Sequence, residues 1–188
     1  MRIFTVDIRA LPYYEDSWLC AERRSRLARF KNEKARLLSL AAELALIEAV
    51  RSVHPDAALP LRYKRNEHGK PFLTDYPDLR FNISHSGDYA VCAVSEKNIG
   101  VDLQTTDRTH EGIAERFFTA DECEYIGESA ENFFEVWSRK ESYLKARGTG
   151  LDVPLNSFSV FSLPGCKFTS CTPPGDGYVL WVCELGNR

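Results

Sequence analysis

Residues 80–104 read RFNISHSGDYAVCAVSEKNIGVDLQ, and the fold class follows from them. Apolar and small residues run through Arg80–His85, Tyr89–Ser95 and Ile99–Gln104, with Ser86-Gly87-Asp88 and Glu96-Lys97-Asn98 between them. Short apolar runs broken by turn residues read as strands joined by tight connections. The expectation is three strands in an antiparallel meander. Within the last run Ile99, Val101 and Leu103 face one way and Gly100, Asp102 and Gln104 the other, because side chains alternate along a strand.

Toward the N-terminus, Phe4, Val6 and Ile8 alternate with Thr5, Asp7 and Arg9, again a strand pattern. From about Asp16 to Val53 the pattern is helical: Leu37, Leu40, Ala41, Leu44 and Ile47 make one apolar stripe. His54-Pro55 ends that helix. The segment from Pro60 to Pro77 reads as loop, punctuated by Gly69 and Pro71. Toward the C-terminus, Thr119-Ala120-Asp121-Glu122 is a capping box, and a long helix is expected from about Asn132 to Arg147 with Gly148 just past its end. Three strand-like runs follow, near Ser157–Ser162, Lys167–Cys171 and Tyr178–Leu185. Strands and helices mix without βαβ regularity, so the fold class is α+β.

The chain has 188 residues with 44% hydrophobic and 27% charged side chains, enough for a substantial core and unlike a disordered chain or a coiled coil. A net charge of −3 argues against a dedicated nucleic-acid binder. The N-terminus carries a charge too early for a signal peptide, and the richest apolar stretch is too short and too charged to span a bilayer. None of the six cysteines forms a CxxC pair, and Cys92 lies in an apolar run as a small hydrophobe would. These features set the expectation of a cytoplasmic protein in a reducing compartment with no membrane or nucleic-acid partner.

Charge is uneven. Residues 22–36 hold seven basic side chains, among them Arg23, Arg26 and Arg36, against two acidic ones, whereas residues 120–135 hold six acidic side chains and no basic one. A solvated helix face accounts for the basic segment as well as a surface for an anionic ligand or acidic partner does. Asp102 and Gln104 offer a carboxylate and an amide oxygen on one strand face, a set that suits a hard cation such as magnesium. Glu141 and Lys145 share a helix face, either as a simple i,i+4 ion pair or as a second metal carboxylate beside a phosphate-binding cation. No P-loop, dinucleotide fingerprint, HExxH or nucleophile elbow occurs.

In order along the chain, Gly69-Lys70-Pro71, Phe81-Asn82-Ile83-Ser84-His85-Ser86-Gly87, Gly100-Val101-Asp102, Arg116-Phe117-Phe118, Trp137-Ser138-Arg139-Lys140-Glu141-Ser142-Tyr143-Leu144-Lys145 and Gly148-Thr149-Gly150-Leu151 followed by Pro154–Val160 resemble the 4′-phosphopantetheinyl transferases of the surfactin-synthetase-activating type. The resemblance covers roughly residues 20–162. It implies two similar α+β halves related by a pseudo-twofold axis, about 1–100 and 101–188, with the metal site at their interface. It implies transfer of the phosphopantetheine arm of coenzyme A to a serine of an apo acyl or peptidyl carrier protein, with release of adenosine 3′,5′-bisphosphate. A magnesium ion, with manganese as a substitute, and a monomeric enzyme are implied as well.

Matched residue by residue, Asp102 and Glu141 take the places of the family's metal carboxylates, with Gln104 as a third ligand, and Lys140 and Lys145 those of its phosphate-side lysines. Ser84, His85, Lys70, Pro71, Arg36, Arg23 and Arg26 match coenzyme A-binding positions. Asp102, Glu141 and Lys145 are the expected catalytic set, with Glu141 taking the serine proton. Many relatives carry Glu where this chain has Gln104, which implies weaker metal binding or a water in that place. A coenzyme A- or carrier-binding protein without turnover and a metal-dependent pyrophosphate hydrolase are the alternatives.

Overall fold

A computed structural model describes residues 1–11, 17–107, 112–150 and 153–186. Strands β1 (Arg2–Asp7), β4 (Arg80–Ser86) and β5 (Tyr89–Ser95) form an antiparallel sheet with β5 in the middle. Strand β1 pairs Phe4 with Cys92 and β4 pairs Ile83 with the same residue. A second antiparallel sheet holds β6 (Ile99–Thr105), β8 (Tyr178–Leu185) and β7 (Cys166–Ser170), with β8 central. The meander expected from residues 80–104 therefore stops at β5: β6 crosses to pair with β8, setting Asp102 opposite Trp181. The α+β class holds.

Strand β5 is buried on both faces, which explains its nearly unbroken apolar run. Cys92 and Val94 pack under helix α2 (Glu33–Arg51) with Ala45, Leu46, Ala49 and Val50. Val91 and Ala93, on the opposite face, pack against Ile99, Val101 and Leu103 of β6 and Leu180 and Val182 of β8. One layer of core thus joins the two sheets.

A second link runs between β4 and β6. The backbone N–H groups of Val101, Leu103 and Thr105 donate to Asn82 Oδ1 (2.9 Å), Ser84 Oγ (3.2 Å) and Ser86 Oγ (3.1 Å). The constant offset of 19 residues means that the strands run in the same direction. Polar side chains of β4 thereby satisfy buried amides that no strand partners, which would otherwise carry a desolvation cost.

The other departures from expectation lie in helices and turns. The single helix foreseen to Val53 is two: α1 (Ala21–Leu27) and α2, separated because Asn32 caps α2 by accepting the Ala35 N–H at 3.0 Å. Its expected start at Asp16 lies outside the described residues. The loop foreseen over 60–77 contains a hairpin, β2 (Tyr63–Arg65) and β3 (Pro71–Leu73). Residues expected as a strand at 157–162 instead follow a 3-10 turn at Leu155–Ser157, because the Val160 N–H donates to Glu122 Oε1 at 2.8 Å rather than to a strand. Short helices α3 (Ile113–Phe117) and α4 (Ala120–Ile126) lead to α5 (Ala130–Arg147), which is capped by Ser129 and ended by left-handed Gly148. Among the described residues no helix is long and apolar enough to cross a membrane.

Candidate functional site

Helix α5 lies across β6 and β8, and Gly100 sets how close it comes. A Cβ at Gly100 would run into Ser142 O and Ala146 N of the helix backbone. That close approach lowers α5 onto Asp102, the next outward-facing position after Gly100 on β6. Asp102 is 1% exposed, yet its carboxylate is fully engaged. Oδ1 accepts from Lys145 Nζ at 2.5 Å and Ser84 Oγ at 3.2 Å; Oδ2 accepts from Gln104 Nε2 at 2.9 Å and Ser138 Oγ at 3.0 Å. A buried carboxylate is tolerated when paired and hydrogen-bonded in this way.

Ser138, Glu141 and Lys145 lie on one side of α5, as their spacing of three and four residues requires. Lys145 Nζ also donates to Ser84 Oγ and Val101 O. Glu141 has no hydrogen bond among the described residues, and its carboxyl is pushed up, first by burial and then by the negative charge of Asp102, against the opposing pull of Lys145.

Ser84, Asp102, Gln104, Glu141 and Lys145 line a cavity of about 500 Å³ together with His85 and the apolar side chains of Ile83, Ile113, Phe133, Phe134 and Trp137. Ile83 and His85 also line a second cavity of about 250 Å³, whose basic residues are Arg23, Arg26 and Arg65. Arg26 is lowered by burial and by the charges of Arg23 and Arg65. His85 is held below its usual 6.5 by burial and by Lys145 and Arg26. Cations gathered at mutual cost around a concave surface form an anion-binding environment.

The structure brings together Asp102, Gln104, Glu141, Lys145, Ser84 and His85 in the first cavity and Arg23, Arg26 and Pro71 in the second. Lys140, Lys70 and Arg36 line neither of these two cavities. Lys140 is fully buried on another side of α5, where Nζ pairs with Glu122 Oε2 at 2.7 Å and donates to Leu155 O and Phe158 O. Its ammonium is wholly out of solvent and paired with Glu122, whereas that of Lys145 is partly exposed, so the phosphate-side role expected for Lys140 is corrected to a structural one. Lys70 spends its ammonium on three backbone carbonyls. Arg36 binds Glu33 within α2 and lines neither cavity. Arg23 lines the second cavity, but Glu43 lies 2.8 Å from its Nε and offsets much of its charge.

Sequence reading missed Ser138, although its spacing to Glu141 and Lys145 was available. It also missed Arg65 and Tyr63, because the short hairpin that carries them was read as loop.

Two carboxylates and the Gln104 amide are oxygen donors of the kind magnesium takes. Glu141, pushed up by burial and then by the charge of Asp102, is the group that a bound cation would relieve. The donor types suit a hard divalent ion, with one of the four hydrogen bonds to Asp102 giving way to it. Among the described residues no cluster of three or more His, Cys, Asp or Glu side chains that could hold a metal ion occurs.

The 4′-phosphopantetheinyl transferase superfamily model matches residues 98–184, and the N-terminal 4′-phosphopantetheinyl transferase model matches residues 15–97. The chain is 34% identical over 149 residues to 4′-phosphopantetheinyl transferase Sfp of Bacillus subtilis (strain 168), covering 77% of this chain and 66% of that protein. It is 37% identical over 142 residues to 4′-phosphopantetheinyl transferase gsp of Aneurinibacillus migulanus, covering 73% and 59%. Human L-aminoadipate-semialdehyde dehydrogenase-phosphopantetheinyl transferase is 37% identical over 114 residues, covering 50% and 37%. The chain thus spans slightly under two thirds of the length of the bacterial relatives it matches. Two family models that meet near β6, where Asp102 stands, and relatives at this identity place the chain in the 4′-phosphopantetheinyl transferase superfamily, among its Sfp-type members.

Proposed function

We propose that this protein transfers the 4′-phosphopantetheine arm of coenzyme A to a serine hydroxyl of an apo acyl or peptidyl carrier protein. The observation that carries the proposal is the pair of buried Asp102 with Lys145 beside Glu141, which makes no hydrogen bond among the described residues, in a cleft that continues past His85 into a cluster of arginines. A pyrophosphate that also bears a 3′-phosphate requires cations at both ends. Lys145 serves one end, and His85, Arg26 and Arg65 the other.

The reaction is a displacement at phosphorus, where positioning and charge neutralisation supply most of the acceleration. Glu141 takes the proton of the carrier serine, directly or through a water. The serine oxygen forms a bond to the phosphorus that bears the pantetheine arm. The bond from that phosphorus to the bridging oxygen breaks, and adenosine 3′,5′-bisphosphate departs with the electron pair. Lys145 stabilises the charge that gathers on the phosphoryl oxygens, while Ser84, Ser138 and Gln104 hold Asp102 in place. A magnesium or manganese ion held by Asp102, Glu141 and Gln104 would supply further neutralisation at the pyrophosphate. The apolar wall of Ile113, Phe133 and Trp137 limits water at the reacting centre.

The same reading takes 1–100 and 101–188 as two related halves with the metal site between them. It is supported by the presence in each of a three-stranded antiparallel sheet and one long helix, with β6 starting at Ile99. A monomer in the cytoplasm completes the proposal.

Product analysis tests it. Chromatography of a reaction with coenzyme A, Mg²⁺ and an apo carrier should show adenosine 3′,5′-bisphosphate only when the carrier is present. Release without carrier would mean a pyrophosphate hydrolase, and no release with coenzyme A still bound would mean a binding protein.

A further inference from the structure

Lys70 lies at the end of the β2–β3 turn and lines a third cavity, of about 270 Å³, with Glu141 and Lys145, but its ammonium is taken up by backbone carbonyls. Nζ donates to Lys145 O at 2.6 Å, Ala146 O at 3.0 Å and Ile99 O at 3.1 Å. From the same turn, Asn66 Nδ2 donates to Gly148 O at 3.0 Å, while Asn66 Oδ1 accepts the Lys70 N–H at 2.8 Å and so fixes the turn itself. The last carbonyls of a helix have no partner within it and form the negative end of its dipole. Here a lysine and an asparagine from the hairpin fill three of them. The fit is tight: a Cβ on Gly148 would stand 2.8 Å from Lys70 Cδ.

The recipients of these bonds belong to the proposed catalytic apparatus. Lys145 accepts from Lys70 through its carbonyl and pairs with Asp102 through its side chain. Ile99 opens β6, the strand that carries Asp102. One ammonium therefore touches both elements whose relative placement sets the Asp102, Glu141 and Lys145 geometry. The hairpin that supplies it also lines the arginine-rich cavity through Tyr63, Arg65 and Pro71.

We infer that Lys70 is a positioning residue, which locks the C-terminal turn of α5 to the start of β6 and so holds Lys145 on Asp102, rather than a ligand of the coenzyme A phosphates. The inference rests on the transferase reading for its catalytic consequence. A phosphate could recruit this ammonium only by displacing three buried carbonyls, each of which would then lack a donor.

The test compares wild type with Lys70→Met, which keeps the apolar stem and removes the donor, and with Lys70→Arg, all assayed well below the lowest melting temperature. A small displacement of reacting groups is enough to cost orders of magnitude in rate. The expected result for Lys70→Met is a fall in kcat of about ten- to a hundredfold. KM for coenzyme A and Kd for adenosine 3′,5′-bisphosphate, measured by calorimetry, stay within about twofold. Lys70→Arg should recover part of the loss.

Weaker binding of the bisphosphate with kcat retained would make Lys70 a phosphate ligand and overturn the inference. Unchanged kinetics with only a lower melting temperature would reduce Lys70 to a brace and overturn it too. Should wild type transfer nothing to any carrier, the transferase reading fails, and the positioning claim is still decided by limited acetylation read by mass spectrometry. Faster modification of Lys145 in Lys70→Met supports the claim, and an unchanged rate overturns it.

Discussion

Lys145 Nζ stands 2.5 Å from Asp102 Oδ1 across the contact between α5 and β6, with Asp102 almost wholly out of solvent and Lys145 partly open to the cleft. The pair is thus a charged link between two elements and also the edge of a binding surface. Removing one partner of such a pair leaves the other charge uncompensated. Asp102→Asn should lower stability by about 3 kcal/mol, a fall in Tm of about 6–12 °C for a chain of this length, as read by calorimetry. Turnover should fall at least about a hundredfold. A variant that melts with wild type would mean that the pair carries little.

Gly100 permits the approach of α5. Gly100→Ala places a methyl against Ser142 O and Ala146 N, both backbone atoms of a helix that has no flexible end to move. Overpacking of this kind costs about 3 kcal/mol. Urea unfolding should show a lower midpoint with an unchanged slope. A midpoint equal to that of wild type would show that α5 can lift from β6 freely.

His85 should titrate below its usual 6.5 in the free protein, because it is buried and faces Lys145 and Arg26. Adenosine 3′,5′-bisphosphate bound beside it should raise that value, since a nearby anion favours the charged imidazole. NMR titration of the His85 ring protons reads both. A pKa that ignores the ligand would place the phosphates elsewhere.

Lys70 gives a stability signature in alkali. Burial, followed by the charge of Arg80, lowers its pKa from 10.5 to about 8. Between about pH 8 and 10.5 the unfolded chain therefore holds a proton on this residue that the native protein has lost. Stability must then rise with pH in that window through this group. Wild type should gain stability relative to Lys70→Met on going from pH 7 to pH 9.5 in chemical denaturation. A constant difference would show that Lys70 keeps its proton throughout.

The Glu122–Lys140 pair behaves differently from a site residue. Lys140→Met leaves Glu122 buried and unpaired and should cost about 3–5 kcal/mol, whereas adding Glu122→Gln to that variant should recover part of the loss. A double-mutant cycle with no coupling would contradict the fully buried contact seen here.

The legible parts of the sequence were those governed by local pattern. Strand β5 matched its expected bounds and β4 ran one residue past its own, because turn residues flank short apolar runs, and α5 ended where Gly148 could take a left-handed conformation. The departure of β6 to pair with β8 was not legible, because the partner lies some eighty residues away and Glu96-Lys97-Asn98 resembles a hairpin turn. Val160 alternates with its neighbours like a strand residue, but its N–H is claimed by buried Glu122. At the site, the order of motifs pointed to Asp102, Glu141 and Lys145, which the fold brings to one cavity. It could not say that Lys140, one residue from Glu141, turns inward, nor that Lys70 is spent on helix carbonyls. Those outcomes depend on which donors and acceptors burial leaves unpaired.

The central claim is that Asp102, Glu141 and Lys145 serve phosphopantetheinyl transfer. Its most direct test is the intact mass of apo acyl and peptidyl carrier proteins after incubation with coenzyme A, Mg²⁺ and the protein, with Glu141→Ala and a chelator as controls. The account predicts a gain of one phosphopantetheine on at least one carrier, lost in both controls. A gain that survives in Glu141→Ala, or no gain on any carrier in the presence of bound coenzyme A, would contradict it.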